Sequence, residues 1–150
     1  MKVKDIMVKE IKSVSPDISV KEGMEALFKN EISGLPVIDK DGKLVGMFTE
    51  KNIISHLLPS YVAQVGRFVY EDDPKWIKKK LTELCNVKVG QLMRKNVVTT
   101  QEDASLSEAA RIMLTERARR LPVLDKTGKM VGMVARVDVL KAFSGQSVCL

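Results

Sequence analysis

The chain has few of the side chains that metal centres, disulfides and acid–base catalysis use. Its 150 residues include two cysteines and one histidine. Cys85 and Cys149 lack the spacing of metal ligands, and a single pair does not make a disulfide framework. His56 precedes Leu57 and Leu58 in a predicted helix, with no nucleophile or carboxylate arranged beside it, so we interpret it as a surface histidine. These shortages favour a reducing cytoplasm and argue against a metal site or an enzyme.

Long apolar runs, glycine-rich loops and aromatic side chains are also scarce. No apolar run approaches the length of a membrane-spanning helix, and Met1–Asp5 has none of the apolar character of a signal peptide. Neither a dinucleotide-binding nor a P-loop glycine motif occurs. Aromatic residues make up 5% of the chain, which leaves little for stacking on single-stranded bases. We therefore expect a cytoplasmic protein with no membrane segment and no required cofactor.

Charge is the bulk property that points to a class of ligand. The formal net charge is +6 and the pI is about 9.3, which suits phosphate-bearing small molecules and also nucleic acid. Lys78–Lys80 lies on a predicted helix. Asp73 is its predicted N-cap, and Pro74 is its first helical residue. These lysines form either a solvated face or an anion-binding patch. Aromatic residues of the same segment, which suggest packing over the core or a partner surface, are Tyr61, Phe68, Tyr70 and Trp76.

What the chain does contain is an internal repeat. Residues 3–58 align with residues 89–144 at a constant offset of 86 positions without a gap, and 16 of the 56 aligned pairs are identical. We call residues 1–58 copy one and residues 89–150 copy two, and residues 59–88 form a segment between them. Two units indicate a pseudo-symmetric pair rather than a solenoid, with sites that neither unit has alone.

Each copy predicts the same order of elements: strand, helix, strand, strand, helix. β-Branched residues mark the first strand at 11–14 and at 97–100. Ser19 and Ser105, each three residues before a glutamate, have the capping-box spacing of a helix start. An Asp-Gly or Thr-Gly turn then joins two strands in a hairpin. Apolar residues at helical spacing follow each hairpin and predict the second helix.

The hairpin and the residues after it give the most specific signal. Copy one reads Leu35-Pro36-Val37-Ile38-Asp39, then Gly42 and Gly46, then Thr49 and Asn52; copy two reads Leu121-Pro122-Val123-Leu124-Asp125, then Gly128 and Gly132, then Ala135 and Asp138. This pattern resembles the CBS domain, and two in tandem resemble a CBS pair, or Bateman module, in a stand-alone CBS domain-containing protein. The resemblance covers 112 of 150 residues. It implies an α/β (α+β) fold of two βαββα repeats packed about a pseudo-twofold axis.

The residues after each hairpin suit a nucleotide on physical grounds as well. Thr49 ends a strand and begins a helix, where free N–H groups and the helix dipole attract phosphate. Three residues after the strand, Asn52 or Asp138 stands in the first turn, where an acceptor can bind a ribose diol. A structural alternative remains open for both copies. Thr49 would then be only the helix N-cap, and Asp138 only a carboxylate that stabilises the helix dipole.

The resemblance implies two clefts, each taking one adenosine-containing ligand between residues of both copies. One cleft would hold ribose on Asp138 and phosphate near Arg136 and Arg120, with adenine against Ser13, Val14, Ile18, Ile32 and Ser33. The other would use Thr49 and Asn52, with Thr99, Thr100, Ala104, Ala118 and Arg119 around the base and ribose.

Departures from the family pattern distinguish the two copies. Asn52 stands where aspartate is commoner, and Ala135 stands where threonine or serine is usual. Arginine, which forms forked and charge-assisted hydrogen bonds with phosphate, surrounds the motif of copy two. The alternative for these arginines, at 117, 119, 120 and 136, is a solvated turn. We expect the Asp138 cleft to be the better nucleotide site.

The sequence predicts a regulatory sensor that binds AMP, ADP, ATP or S-adenosylmethionine and signals through an unidentified partner protein. The resemblance also implies a homodimer. One alternative is a dimerisation or scaffold module whose clefts no longer bind a ligand, which Asn52 and Ala135 favour. A nucleic-acid-binding protein, suggested by the net charge of +6, is the less favoured alternative. None of these functions involves catalysis.

Overall fold

The computed structural model describes residues 1–58 and 74–145. The predictions about Tyr61, Phe68, Tyr70, Asp73 and Cys149 lie outside these residues. Within the two described ranges, no helix is long and apolar enough to cross a membrane. The chain forms two compact units. The copy-one unit comprises Ser13–Asp39 and Val45–Lys95, and the copy-two unit comprises Met1–Lys12, Lys40–Leu44 and Asn96–Leu150.

The copy-one unit combines one hairpin with helices that cover it. Its elements, β2 beginning at the boundary residue Leu44, are α1 (Val20–Asn30), β1 (Gly34–Ile38), β2 (Leu44–Thr49), α2 (Glu50–Leu57), α3 (Pro74–Cys85) and α4 (Val89–Leu92). Strands β1 and β2 pair in a two-stranded sheet. Its buried core includes Leu27 from α1, Val37 from β1, Phe48 from β2 and Ile53 from α2.

The copy-two unit repeats this plan around a sheet of three strands. Its elements are a 3₁₀ turn (Val3–Asp5), β3 (Thr100–Gln101), α5 (Leu106–Thr115), β4 (Arg120–Leu124), β5 (Met130–Ala135) and α6 (Arg136–Phe143). The strand order is β3-β4-β5, with β3 parallel to β4 and β4 antiparallel to β5. The mixed helix-and-sheet fold with two repeats, predicted from the sequence, is confirmed.

The helix starts follow from the capping residues. Ser19 Oγ accepts a hydrogen bond from the Glu22 N–H at 3.1 Å, and Ser105 Oγ accepts one from the Glu108 N–H at 3.1 Å. Each hydroxyl satisfies one of the N–H groups that a helix leaves without a backbone partner at its first turn. Helix α3 begins at Pro74, where a proline costs no hydrogen bond.

The first strand of copy one is shorter than the sequence predicts. Residues 11–14 form a single parallel bridge, between Val14 and Val37. The Val14 N–H donates to the Pro36 carbonyl at 3.0 Å, and the Ile38 N–H donates to the Val14 carbonyl at 2.9 Å. The next bond toward the start of the chain would need an N–H on Pro36, and proline has none. The proline of the hairpin motif therefore stops the ladder after one residue.

Copy two shows the same limit. The predicted strand at 97–100 is displaced to Thr100–Gln101, and Thr100 pairs with Val123 in the register of Val14 in copy one. Pro122 occupies the place of Pro36 in β4 and again offers no donor toward the start of the chain.

The copy-two unit contains the opening residues of the chain. Val3 is fully buried, in one apolar cluster with Leu106 and Val123. Val8 and Met133 exchange two backbone hydrogen bonds of 2.9 Å. The first residues of copy one thus complete the core and extend the sheet that the hairpin of copy two begins.

The copy-one unit is built in the same way with the opening residues of copy two. Val89, which lies 86 positions after Val3, is fully buried in one cluster with Leu35. Arg94 and Met47 exchange two backbone hydrogen bonds of 2.9 Å. The two copies therefore exchange their first segments, and each segment pairs with the last strand of the other copy.

A glycine permits each of these pairings. A Cβ atom at Gly46 would lie 2.5 Å from Met93 Sδ and 2.8 Å from the carbonyl oxygen of Arg94. A Cβ atom at Gly132 would lie 3.1 Å from the carbonyl oxygen of Val8. The exchanged segment can approach the strand this closely only where the strand has no side chain.

We expect Gly46→Ala to lower the free energy of unfolding by about 1–3 kcal/mol, because the added Cβ meets a carbonyl that cannot move without breaking the pairing. Gly132→Ala is the matched variant and should cost less, since its nearest backbone atom lies at 3.1 Å rather than 2.8 Å. Chemical denaturation followed by circular dichroism measures both. Wild-type stability in Gly46→Ala would contradict this account of the contact.

Candidate functional site

The candidate site begins where the last strand of each copy turns into a helix. In the copy-two unit, β5 ends at Ala135 and α6 begins at Arg136. The Ala135 N–H donates to Asp138 Oδ2 at 2.9 Å, and the Asp138 side chain is partly buried. Within the described residues, the second carboxylate oxygen, Oδ1, has no hydrogen-bond partner. Asp138 therefore accepts from the strand end with one oxygen, and its other oxygen is an unused hydrogen-bond acceptor.

In the copy-one unit, the equivalent corner between strand and helix is Thr49–Asn52, and its polar groups form hydrogen bonds with one another. Thr49 donates to Asn52 Oδ1 twice, from its N–H at 3.1 Å and from Oγ1 at 2.8 Å. The Asn52 N–H donates back to Thr49 Oγ1 at 3.1 Å. An amide has a single oxygen, and here both bonds to it come from Thr49. The helix-cap function considered as the alternative for Thr49 is thus present. The Asn52 oxygen, which already accepts two bonds, is less available than the Asp138 carboxylate to accept from a ribose.

Arginines stand beside the Asp138 corner. The Arg136 N–H donates to the Arg119 carbonyl at 3.0 Å, and Arg136 Nε donates to the Ala118 carbonyl at 3.2 Å. Arg120 lies directly opposite Ala135 in the register of β4 and β5. All three arginines are exposed, and no carboxylate of the described residues forms an ion pair with any of them.

The copy-one corner has the same backbone and different charges. The Glu50 N–H donates to the Ser33 carbonyl at 2.9 Å, which matches the bond between Arg136 and Arg119. Glu50 stands in the place of Arg136, and Ser33 and Gly34 stand in the places of Arg119 and Arg120. The sequence analysis missed this inversion of charge at Glu50, although the offset of 86 positions already aligns it with Arg136.

The remaining predicted ligand residues of the copy-one unit lie along its core. Val14, Ile18 and Ile32 are partly buried and pack against the buried cluster. Ser13 and Ser33 are exposed. The three apolar side chains are therefore partly accessible, and the two serines lie in solvent.

Thr100 is the unusual predicted residue of the copy-two unit. It is 4% exposed, and its Oγ1 is the one buried side-chain polar atom of the described residues that has no hydrogen-bond partner. An unpaired buried hydroxyl lowers the free energy of unfolding by about 1–3 kcal/mol. A hydrogen bond to Thr100 Oγ1 would therefore be favourable. Neighbouring Thr99 is partly exposed, and Ala104 and Ala118 pack against the core.

His56 and the three lysines at 78–80, noted in the sequence for other reasons, have ordinary surroundings. His56 is exposed, as predicted, and its Nδ1 lies 2.8 Å from the carbonyl oxygen of Asn52. On α3, Lys78 and Lys79 are exposed and Lys80 is partly buried. This exposure agrees with a solvated face and with an anion patch alike, so both interpretations of the lysines stay open.

Both repeats match the same known protein family. Residues 3–59 and 89–145 each match the CBS domain. The chain belongs to the CBS domain family. The resemblance stated from the hairpin motif is therefore confirmed, and both repeats fall where the sequence alignment placed them.

Several CBS proteins resemble this chain over most of its length. The chloroplastic CBS domain-containing protein CBSX1 of Arabidopsis thaliana is 35% identical over 86% of this chain, which spans 57% of that relative. The crystal structure of CBSX2 in complex with AMP is 28% identical, covers 97% of both chains and superposes with a TM-score of 0.72. The CBS pair of protein MJ0100, in complex with 5′-methylthioadenosine and S-adenosyl-L-methionine, is 27% identical, covers 98% of both chains and has a TM-score of 0.65.

The two corners provide matched tests of helix capping. We expect Thr49→Ala to lower the free energy of unfolding by about 1 kcal/mol, because Asn52 loses the hydroxyl that accepts from its N–H. We expect Ala135→Ser to raise it by about 0.5–1 kcal/mol, because it adds an N-cap hydroxyl to α6. Denaturant titration measures both variants. A stable Thr49→Ala variant would show that the closed corner contributes nothing to the fold.

Proposed function

We propose that this protein is a regulatory CBS pair that binds an adenosine ligand, AMP, ADP, ATP or S-adenosylmethionine, and signals its binding state to a partner protein. The proposal is for a binding function and includes no catalytic step. The observation that supports it most is the Asp138 corner, where one carboxylate oxygen has no hydrogen-bond partner and three arginines of the adjoining backbone form no ion pair among the described residues. Two relatives are structures with AMP and with S-adenosylmethionine.

The proposed contacts follow from the chemistry of each group. A ribose diol offers two hydroxyl donors, and the open Oδ1 of Asp138 is an acceptor at the first turn of a helix. Phosphate would lie near Arg119, Arg120 and Arg136, whose guanidinium groups form charge-assisted hydrogen bonds. Within the copy-one unit, the partly buried Val14, Ile18 and Ile32 and the exposed Ser13 and Ser33 have the apolar and polar character that suits an adenine ring. The Thr100 hydroxyl is a further candidate contact.

Signalling requires that the partner protein has different affinities for the ligand-free and ligand-bound forms, because a ligand shifts an equilibrium only by its differential affinity. The exchanged segments connect each corner with residues of the other copy. The pairing of Met47 and Arg94 lies two residues before Thr49, and the pairing of Val8 and Met133 lies two residues before Ala135. A ligand at either corner therefore acts on the strand that holds the other copy's first segment.

We expect Asp138→Ala to weaken AMP and ATP binding at least tenfold in isothermal titration calorimetry, because the ribose loses its charged acceptor. Asp138→Asn separates binding from folding, since an amide oxygen can still accept from the Ala135 N–H, as Asn52 does from Thr49. It should keep wild-type stability and still lose affinity. Asn52→Ala is the matched control and should leave affinity within about twofold. Unchanged affinity in Asp138→Ala would contradict the assignment.

We also propose a homodimer formed through the helical faces. In the copy-two unit, a shallow apolar groove of about 260 Å³ runs between α5 and α6. Large exposed apolar side chains recur at equivalent positions of both units: Phe28 (70%) with Leu114 (74%), and Ile54 (55%) with Leu140 (67%). A symmetric dimer buries the same patch on both subunits, and such patches on a lone chain mark an interface.

Light scattering after size-exclusion chromatography tests the dimer. We expect the wild-type protein to have twice the chain mass of 16.7 kDa. Leu140→Glu places a charge in the apolar face and should raise the dimer dissociation constant at least tenfold, while Lys126→Glu, on an exposed turn, should not change it. A wild-type monomer, or an unaffected dimer in Leu140→Glu and Ile54→Glu, would overturn the proposed interface.

A further inference from the structure

We infer that the Asp138 corner selects a nucleoside polyphosphate, ATP or ADP, over AMP and over uncharged adenosine ligands, and that the Asn52 corner rejects polyphosphate. This inference rests on the proposed adenosine-binding function and specifies the ligand class of each corner. The two corners share one backbone geometry and carry opposite charge.

The backbone brings the arginines of copy two to one place. Arg120 is opposite Ala135 in the β4–β5 register, where facing residues have Cβ atoms about 4.5–5.5 Å apart. Arg136 follows Ala135, and its N–H bonds to the carbonyl of Arg119. Its Nε bonds to the Ala118 carbonyl, so that guanidinium is tied beside the turn that carries the other two. Arg117, two residues before Arg119, adds a fourth positive charge at a left-handed backbone position.

These charges have no counterion among the described residues. The three ion pairs found there involve Lys2, Lys4 and Arg111. Glu116 and Asp138 are the nearby carboxylates along the chain; Glu116 forms no ion pair among the described residues, and one oxygen of Asp138 already accepts from the Ala135 N–H. Adjacent positive charges repel one another, and an anion that spans several of them gains from each contact. A triphosphate carries more negative charge and more oxygens than a monophosphate, so the cluster favours it.

Copy one shows what the same corner does without arginine. Its Glu50 N–H bonds to the Ser33 carbonyl at 2.9 Å, in the place of the 3.0 Å bond between Arg136 and Arg119. Glu31 has φ 52°, and Arg117, its equivalent, has φ 55°. Four positions that are all arginine in copy two are thus Glu31, Ser33, Gly34 and Glu50 in copy one. Both glutamates are exposed, and a phosphate chain there would meet like charge.

Calorimetry with four probes tests the inference: ATP, AMP, 5′-methylthioadenosine and inorganic tripolyphosphate. We expect the wild-type protein to bind one ATP per chain at least tenfold more tightly than AMP. We expect the ATP affinity to fall steeply with added salt and the 5′-methylthioadenosine affinity to stay nearly constant. Tripolyphosphate should bind more weakly than ATP, because it lacks the ribose that Asp138 would hold.

The decisive variant is Arg119→Gln, Arg120→Gln, Arg136→Gln, which keeps side-chain length and removes charge. It should lose the preference for ATP over AMP and retain 5′-methylthioadenosine binding. Arg120→Gln alone should lose part of the preference and serves if the triple variant unfolds early in a thermal melt. The matched variant in copy one, Glu31→Gln with Glu50→Gln, should leave the preference unchanged.

The outcomes separate the inference from the function on which it rests. Equal affinity for ATP, AMP and 5′-methylthioadenosine, unchanged in the arginine variant, overturns the selectivity and leaves adenosine binding standing. Tripolyphosphate binding as tight as ATP binding overturns the nucleoside part of the inference. Absence of binding by all adenosine probes overturns the proposed function itself.

Discussion

The structure depends on a backbone pairing made twice, in which the first segment of each copy lies against a glycine in the last strand of the other copy. Val8 pairs with Met133, and its carbonyl oxygen lies against Gly132; Arg94 pairs with Met47, and its carbonyl oxygen lies against Gly46. The exchanged segments bring buried apolar side chains into the two cores, Val3 into one and Val89 and Leu92 into the other. Neither copy completes a core from its own consecutive residues. Each copy therefore contributes residues to both cores.

The same contact lies next to the candidate site. Two residues after each pairing the strand ends and a helix begins. Up to this point the copies are alike, and identical pairs such as Met7 with Met93 and Gly46 with Gly132 lie at the contact. Beyond it they diverge, in Asn52 against Asp138 and in Glu50 against Arg136. A common scaffold thus presents two corners that differ in their acceptor side chain and in their charge.

The sequence predicts the local features well, because each has a local cause. Ser19 and Ser105 cap helices as predicted, since capping depends on residues within one turn. The parallel strands were placed too early in both copies because Pro36 and Pro122 remove a donor from the neighbouring strand, a loss that a strand's own pattern does not show. The exchanged segments escaped prediction since Met7 and Gly132 are far apart in sequence. The closed hydrogen bonds of Asn52 also required coordinates, whereas the charge inversion at Glu50 was readable from the repeat.

We propose that one scaffold supports two unequal corners and that the Asp138 corner is the one that binds a nucleotide. A crystal structure of the protein grown with ATP tests this most directly. We expect one ATP per chain, with ribose hydroxyls within hydrogen-bond distance of Asp138 and phosphate oxygens on Arg119, Arg120 or Arg136. Equal occupancy at the Asn52 corner, or ATP bound there alone, would contradict it.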